Sequence, residues 1–287
     1  MDARTTVVVV TWRGRDHIAA CLAALAAQTR PHRTVVVDNA SDDGTAEILA
    51  DAGVEVLRLP VNAGYAGGLA AVRPTTPYTA WLNDDAVPEP DWLARLEDAL
   101  DARPDAAAAS AHLLRPDGAT QSLGVRLTAD GHGYDSDETP VFGFCGGAAL
   151  LRTEAVGEIP ADYFCYYEDT DTAWRMRLAG WDVISVPEAR VTHAHGASTA
   201  IGSERFHLWN ERNRLRTLFR CAPRRVAWTQ LARFAALTAV LPLRRAKPDA
   251  PNFRFRLRVR VLAEVLARVP RPRADRASRA RVWREWT

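Results

Sequence analysis

Three short β-branched or apolar runs, each separated from the next by a stretch of helical spacing, constrain the fold of this chain most. VVVV at residues 7–10 has the pattern of a strand buried on both faces, and DHIAACLAALAAQ after it carries apolar residues at helical intervals. Asp16 is placed to cap that helix. TVVVD, residues 34–38, leads through NASDDG into TAEILADA, which Gly53 can end before a third strand, VEVLRL. Strand, helix, strand, helix, strand predicts a Rossmann-like, mostly parallel central sheet flanked by helices, and ligands of such sheets bind beyond the carboxyl ends of the strands.

Three polar clusters fall at those ends: TWRGRD after the first strand, DNASDDGT after the second, and NDD (83–85) after the strand that finishes at Leu82. The first strand-to-helix turn lacks GxGxxG, which removes most support for a nicotinamide or flavin enzyme. The four cysteines, Cys21, Cys145, Cys165 and Cys221, form no CxxC pair, so neither a zinc site nor a disulfide scaffold is indicated. MDARTT runs straight into VVVV without a secretory signal pattern, and reduced thiols fit a cytoplasmic protein. Past residue 101 the pattern changes to an Ala-rich stretch, a polar segment over 115–140 that reads as a sheet edge and a loop, then FGFCGGAALLR. Residues 1–100 and 101–221 read as two halves of one domain, with 222–287 as an extension.

Asp84 and Asp85 repel unless a donor or cation answers them. Carboxylates and imidazole suit Mg²⁺ or Mn²⁺, and such an ion neutralises the charge that develops on a departing diphosphate. YFCYYEDTDTAWRMRLAGW brings a second acidic group, Glu168, Asp169 and Asp171, at the start of a helix that Gly180 can close; helix capping explains acids there equally well. Trp174 and Trp181 read as packing residues of that helix. Of the two histidines His193 and His195 on a strand, at most one is expected to reach a metal. Gly146 and Gly147 let backbone approach a ligand closely, although glycine before a strand is also ordinary turn chemistry.

The ordered blocks resemble a family 2 glycosyltransferase of the GT-A fold, in its bacterial rhamnosyltransferase-like branch. VVVVTWRGRDHIAACLAALAAQT with VVVDNASDDGT is similar to the family's nucleotide-binding opening, VNAGYAGG to the segment after its third strand, and WLNDDAVPEPDWL to its DxD motif with Asn first. FGFCGGAALLR, the EDTD block, VTHAHGAS and WNERNRL extend the resemblance to about residue 217. It implies a metal-dependent inverting hexosyltransferase using a dTDP- or UDP-sugar, with rhamnose the best donor guess. Asp38 and Asn39 would then hold the base and ribose, Thr11 and Arg15 line the base pocket, and Asn62, Asn83 and Asp84 complete the nucleotide contacts. Asp85 would ligate the metal, joined by His193, which with Gly196 and Ser198 fits the family's His-Gly-Ser pattern. The base would be Asp169, with Glu168 the alternative. Asp171 would contact a sugar, and Arg212 of the Arg212–Asn213 pair would reach the diphosphate, unless the pair is simply a polar helix face. The competing classes are a sugar nucleotidyltransferase, for which TWRGRDH is a poor phosphate loop, and a degenerate carbohydrate-binding domain.

The net charge of +2 hides a division: residues 222–287 hold 17 Lys+Arg against 4 Asp+Glu, leaving the rest of the chain at −11. A basic, mainly helical tail suggests an anionic partner, by preference the inner face of a membrane. VAWTQLARFAALTAVLPL (226–243) reads as too polar to span a bilayer; it would lie on the surface or pack on the catalytic domain. FRFRLRVRV (253–261) alternates as a strand does, whereas VLAEVLARV after it has helical spacing. No aromatic-interleaved basic module points to nucleic acid. The acceptor, a glycan, lipid-linked intermediate or small molecule, is left open.

Overall fold

The computed structural model describes residues 3–194, 202–243 and 248–287. His195, Gly196 and Ser198 lie outside them. The chain opens as the strand and helix alternation predicts: β1 (Thr5–Thr11), α1 (Ile18–Ala26), β2 (His32–Asp38), α2 (Thr45–Asp51), β3 (Glu55–Arg58), α3 (Gly64–Ala71) and β4 (Tyr78–Asn83). β5 (Ala86–Pro88), α4 (Trp92–Ala102), β6 (Ala106–Leu114), β7 (Thr120–Ser122), β8 (Gly124–Leu127), β9 (Gly133–Ser136) and β10 (Ala148–Arg152) follow. The rest is α5 (Thr153–Val156), α6 (Glu168–Leu178), β11 (Asp182–His193), α7 (Glu204–Cys221), α8 (Arg224–Val240), α9 (Phe255–Leu266) and α10 (Arg276–Trp286).

Nine strands form one sheet in the order β3-β2-β1-β4-β10-β6-β11-β5, with β7 added to β6; β8 and β9 pair separately. β1 runs parallel to β2 and β4, and β6 to β11, while β10 lies antiparallel between β4 and β6. The carboxyl ends of β1, β2, β3, β4 and β11 therefore share one edge with the turn that enters β10. The run at 7–10 is buried on both faces: Val7 and Val9 join the core that holds Ile18 and Trp92, and Val8 and Val10 join the opposite core with Leu69, Phe144 and Met176. Each fully buried Val contributes on the order of 2 kcal/mol of hydrophobic stabilisation.

Two local readings change. Asp16 does not cap α1, which starts at Ile18; the backbone N–H groups of His17 and Ile18 bond instead to the Gly14 carbonyl, both at 2.9 Å. The alternating stretch around 253–261 is helical, since α9 buries Leu257, Val261 and Val265 at i, i+4, i+8 against the core shared with α7 and α8. Its arginine alternation carries no strand; Arg258 turns inward, donates to the Phe234 carbonyl (3.1 Å) and lies over the Phe234 ring.

The tail packs on the catalytic half. Trp283 of α10 stacks on Trp174 at 6.0 Å, Trp286 meets Phe142 edge-on, and the Arg177 guanidinium sits 4.1 Å from the Trp286 ring. Arg224–Leu243 is long and apolar enough to cross a membrane by length and composition alone. Its Leu231, Phe234 and Leu241 are nevertheless buried, while Trp228 and Leu243 stay exposed.

Candidate active site

At the β2 end, Asp38 is buried and accepts from the Ser41 N–H (2.9 Å) and from Arg58 Nη1 (2.8 Å). The parallel register pairs Asp38 with Arg58 directly, which is how a residue from the edge strand arrives there. Asn39 uses its amide to hold the loop before α3, donating to the Gly64 carbonyl (3.0 Å) and accepting from Ala63 N–H (2.8 Å). Asn62 accepts from Gly64 N–H at 2.8 Å. A cavity of roughly 490 Å³ opens at this edge, lined among others by Trp12, Asn39, Asn62, Tyr65, Phe164 and Trp209. Phe164 and Trp209 are in contact, with ring centroids 4.6 Å apart. Trp12, Phe164 and Trp209 lie in segments the sequence singles out, but for their polar and acidic residues; the aromatic lining itself carried no signal beyond the isolated Trp12 after a buried strand.

Two predicted base-pocket residues sit elsewhere. Thr11 is fully buried and donates to Asp84 Oδ2 at 2.6 Å, under a Gly14 whose added Cβ would lie 2.2 Å from Thr11 Oγ1. Arg15 is exposed, with its side chain across Gly44. Asp84 is thereby a buried partner of the first strand. Burial lifts its carboxyl to about 6, eased by the Thr11 hydrogen bond and reinforced by the charge of Asp85.

NDD occupies the turn between β4 and β5, and β5 pairs antiparallel with β11 so that His193 stands opposite Ala86. This register, not sequence proximity, delivers the imidazole to the strand end. His193 Nε2 lies 3.1 Å from Asp85 Oδ1 and 3.0 Å from Asn83 Nδ2, while Nδ1 lies 3.1 Å from Gln121 Oε1. A protonated imidazole donates from Nδ1 to Gln121 and from Nε2 to Asp85, and a cation between Nε2 and Asp85 Oδ1 could take the place of the second proton. One carboxylate and one imidazole side by side form a donor set that suits Mg²⁺ or Mn²⁺. No cluster of three or more His, Cys, Asp or Glu is preassembled among the described residues, so further ligands would come from a bound group or water. Burial would raise the Asp85 carboxyl, but the hydrogen bond and charge of His193 overcome it and hold it below the usual carboxylate range.

Across the edge, Gly146 N–H donates to Asp169 Oδ2 at 3.0 Å, and Tyr65 O–H donates to the Gly146 carbonyl at 2.7 Å. Gly147 adjoins the Asp85–His193 pair: its carbonyl accepts from Asn83 N–H, and its Cα faces Asn83 and His193. One glycine turn thus connects the two acidic clusters. Asp169 Oδ1 accepts from Thr170 N–H at 2.5 Å, and these donors counter the rise that burial imposes on its carboxyl. Asp169 is half-buried, whereas Glu168 is 5 % exposed. Glu168 is pushed up to about 8 by burial and then by the charge of Asp169, and its Oε2 has no hydrogen-bond partner.

The chain reaches Glu168 through strained backbone: Phe164, Tyr166 and Tyr167 have φ of +67°, +71° and +70°, each costing on the order of 1–3 kcal/mol in a non-glycine residue. Asn213 fixes this loop, its Nδ2 lying 2.9–3.0 Å from the carbonyls of Tyr163, Cys165 and Tyr166. Arg212 joins it, donating to the Tyr163 carbonyl (2.7 Å) and pairing with Glu264 (3.0 Å). Arg212 therefore holds the loop and is not presented to a diphosphate. Asp171 also lies away from the cleft, fully buried between Arg175 (2.9 Å) and Arg220 (2.6 Å).

A nucleotide-sized cleft at the carboxyl edge of the parallel strands, faced by a second acidic group at the start of α6 across the glycine turn that enters the antiparallel β10, has the architecture of a GT-A glycosyltransferase. Comparison with known proteins narrows the class. Residues 6–159 match glycosyl transferase family 2, and the chain belongs to that family as a rhamnosyltransferase-like hexosyltransferase. The N-acetylglucosaminyl-diphospho-decaprenol L-rhamnosyltransferase of Mycobacterium tuberculosis is 27 % identical over 235 residues, 67 % of this chain and 76 % of the relative. Among solved structures, a mannosyltransferase from Pyrobaculum calidifontis in complex with GDP-Man and Mn²⁺ aligns with TM-score 0.57 at 21 % identity, over 93 % of this chain and 87 % of that one. TarS 1–349 of S. aureus in complex with UDP-GlcNAc aligns with TM-score 0.59 at 16 % identity, over 93 % and 82 %. These structures share its fold.

Proposed function

We propose that this enzyme transfers a deoxyhexose such as rhamnose, with inversion, from a dTDP- or UDP-sugar to a hydroxyl of a lipid-linked acceptor, using a divalent metal ion. The observation that carries the reading is the Asp85–His193 pair facing Asp169 across the Gly146–Gly147 turn. The solved neighbours with GDP-Man and Mn²⁺ or UDP-GlcNAc, and the relative named for an N-acetylglucosaminyl-diphospho-decaprenol substrate, support donor, metal and acceptor class.

Asp85 and His193 would hold Mg²⁺ or Mn²⁺, which when bound neutralises the departing diphosphate. Asp38, Asn62 and Trp12 bound the nucleotide, with Arg58 keeping Asp38 oriented. Asp169 accepts the proton of the acceptor hydroxyl as its oxygen bonds to the anomeric carbon from the face opposite the breaking bond to the diphosphate. Nucleoside diphosphate leaves, and one displacement inverts the anomeric centre. Asp169 suits this part better than Glu168, because it is accessible and two N–H donors favour its anionic form, whereas a carboxyl at about 8 holds its proton at neutral pH. The four free cysteines support a reducing, cytoplasmic location, and the basic tail supports peripheral contact with the inner membrane face.

A panel of dTDP-, UDP- and GDP-sugars, assayed for nucleoside diphosphate release with Mg²⁺, Mn²⁺ or EDTA, tests this. Release with a dTDP- or UDP-sugar that EDTA abolishes is expected; undiminished release in EDTA refutes the metal-dependent mechanism.

A further inference from the structure

A second cavity, of roughly 870 Å³, lies between the first turns of α7 and the start of α9. Arg205, Arg254, Arg256 and Arg260 line it, with Phe253 and Phe255 supplying apolar wall. Glu204 and Asp249 also contribute, which leaves the lining at a net +2. Arg254 pairs with Glu204, and Arg260 with Glu264 at 2.7 Å. Arg205 and Arg256 have no carboxylate partner among the described residues, and both are exposed. Arg205 lines the nucleotide-sized cleft as well, so the two spaces adjoin through one side chain.

Leading away from the cavity along α9, Phe255, Val259 and Leu266 are 45 %, 42 % and 55 % exposed. With partly buried Leu262 they repeat at i, i+4, i+7 and i+11, an apolar stripe distinct from the buried Leu257–Val261–Val265 face. Uncommitted guanidinium groups beside an open apolar stripe match an anionic group on a hydrocarbon chain, since arginine forks pair with phosphate oxygens bidentately.

We infer that this cavity binds the diphosphate of a prenyl-diphosphate-linked acceptor, with the prenyl chain along the α9 stripe and the acceptor sugar directed past Arg205 into the cleft. This rests on the lipid-linked reading of the acceptor and adds its binding site.

Farnesyl diphosphate is a suitable probe, titrated calorimetrically into the full chain below its micellar concentration. Saturable binding is expected, weakened about tenfold or more by Arg256→Glu and less by Arg256→Lys, which keeps the charge but loses the fork, with nucleoside diphosphate affinity and melting temperature unchanged. Equal affinity of wild type and Arg256→Glu overturns the inference. So does Arg256-dependent binding to phosphatidylglycerol vesicles without binding of farnesyl diphosphate, which would assign the patch to the bilayer. Transfer only to water-soluble acceptors, with farnesyl diphosphate still held through Arg256, would refute the lipid-linked reading and leave this site standing. An unchanged KM of Arg256→Glu for a lipid-linked acceptor would remove the site and leave that reading.

Discussion

Replacing Glu168 by glutamine separates the roles of the two adjacent carboxylates at the start of α6. In the folded chain the Glu168 carboxyl is pushed up to about 8 by burial and by Asp169, against an ordinary value of 4.5. A folded pKa above the unfolded one means that the native state holds the proton more tightly. The associated stability is fully present below pH 4.5 and is lost as pH rises to 8. Over that window the loss is on the order of 5 kcal/mol, of which about 3 kcal/mol has gone by pH 7. Glutamine keeps the shape without the titration, so Glu168→Gln should show a flatter dependence and exceed wild type by a few kcal/mol at pH 8. Urea denaturation from pH 5 to 9 reads this directly. Parallel stability curves for wild type and variant would refute the claim that Glu168 is buried and protonated at neutral pH.

Asn213→Ala and Asn213→Asp both remove the donor that serves three carbonyls of the strained loop; each should cost about 3 kcal/mol in urea denaturation and lower kcat more than donor KM. Gly14→Ala puts a Cβ 2.2 Å from Thr11 Oγ1 and 2.6 Å from Asp84 Oδ2, and urea denaturation should find the variant destabilised by about 1–3 kcal/mol. Asp85→Asn removes a charged ligand of the proposed ion, and the Mn²⁺ concentration for half-maximal activity should rise by about a hundredfold or more; an unchanged Mn²⁺ requirement would exclude Asp85 as a ligand.

The donor half of the fold was legible because both periods are clean there: β-branched runs set β1 and β2, and each ends in the polar residues that reach the shared edge. Asp38, Asn83 and Asp85 could be placed from strand ends alone. Arg58 could not, because its partnership with Asp38 depends on the register of an exposed edge strand. His193 reached the site through pairing of β11 with the three-residue β5, a strand too short to be read from VPEP. Asp171 and Arg212 were misplaced for a related reason. Charge near an acidic motif suggests ligand contact, but Arg220, the partner of Asp171, lies 49 residues along the chain, and the carbonyls held by Arg212 carry no sequence signal. In the tail, the Arg alternation at 254–260 fits a strand locally, and only burial of Leu257, Val261 and Val265 on one helical face decides for α9.

Asp169 as the base beside an Asp85–His193 metal site is tested most directly by single-turnover transfer with Asp169→Asn and Glu168→Gln side by side, at pH 7 and saturating metal and donor. The expected outcome is a loss of about 10²-fold or more in the chemical step for Asp169→Asn, with nucleoside diphosphate affinity intact, and near-wild-type transfer for Glu168→Gln. Full transfer by Asp169→Asn would contradict this assignment.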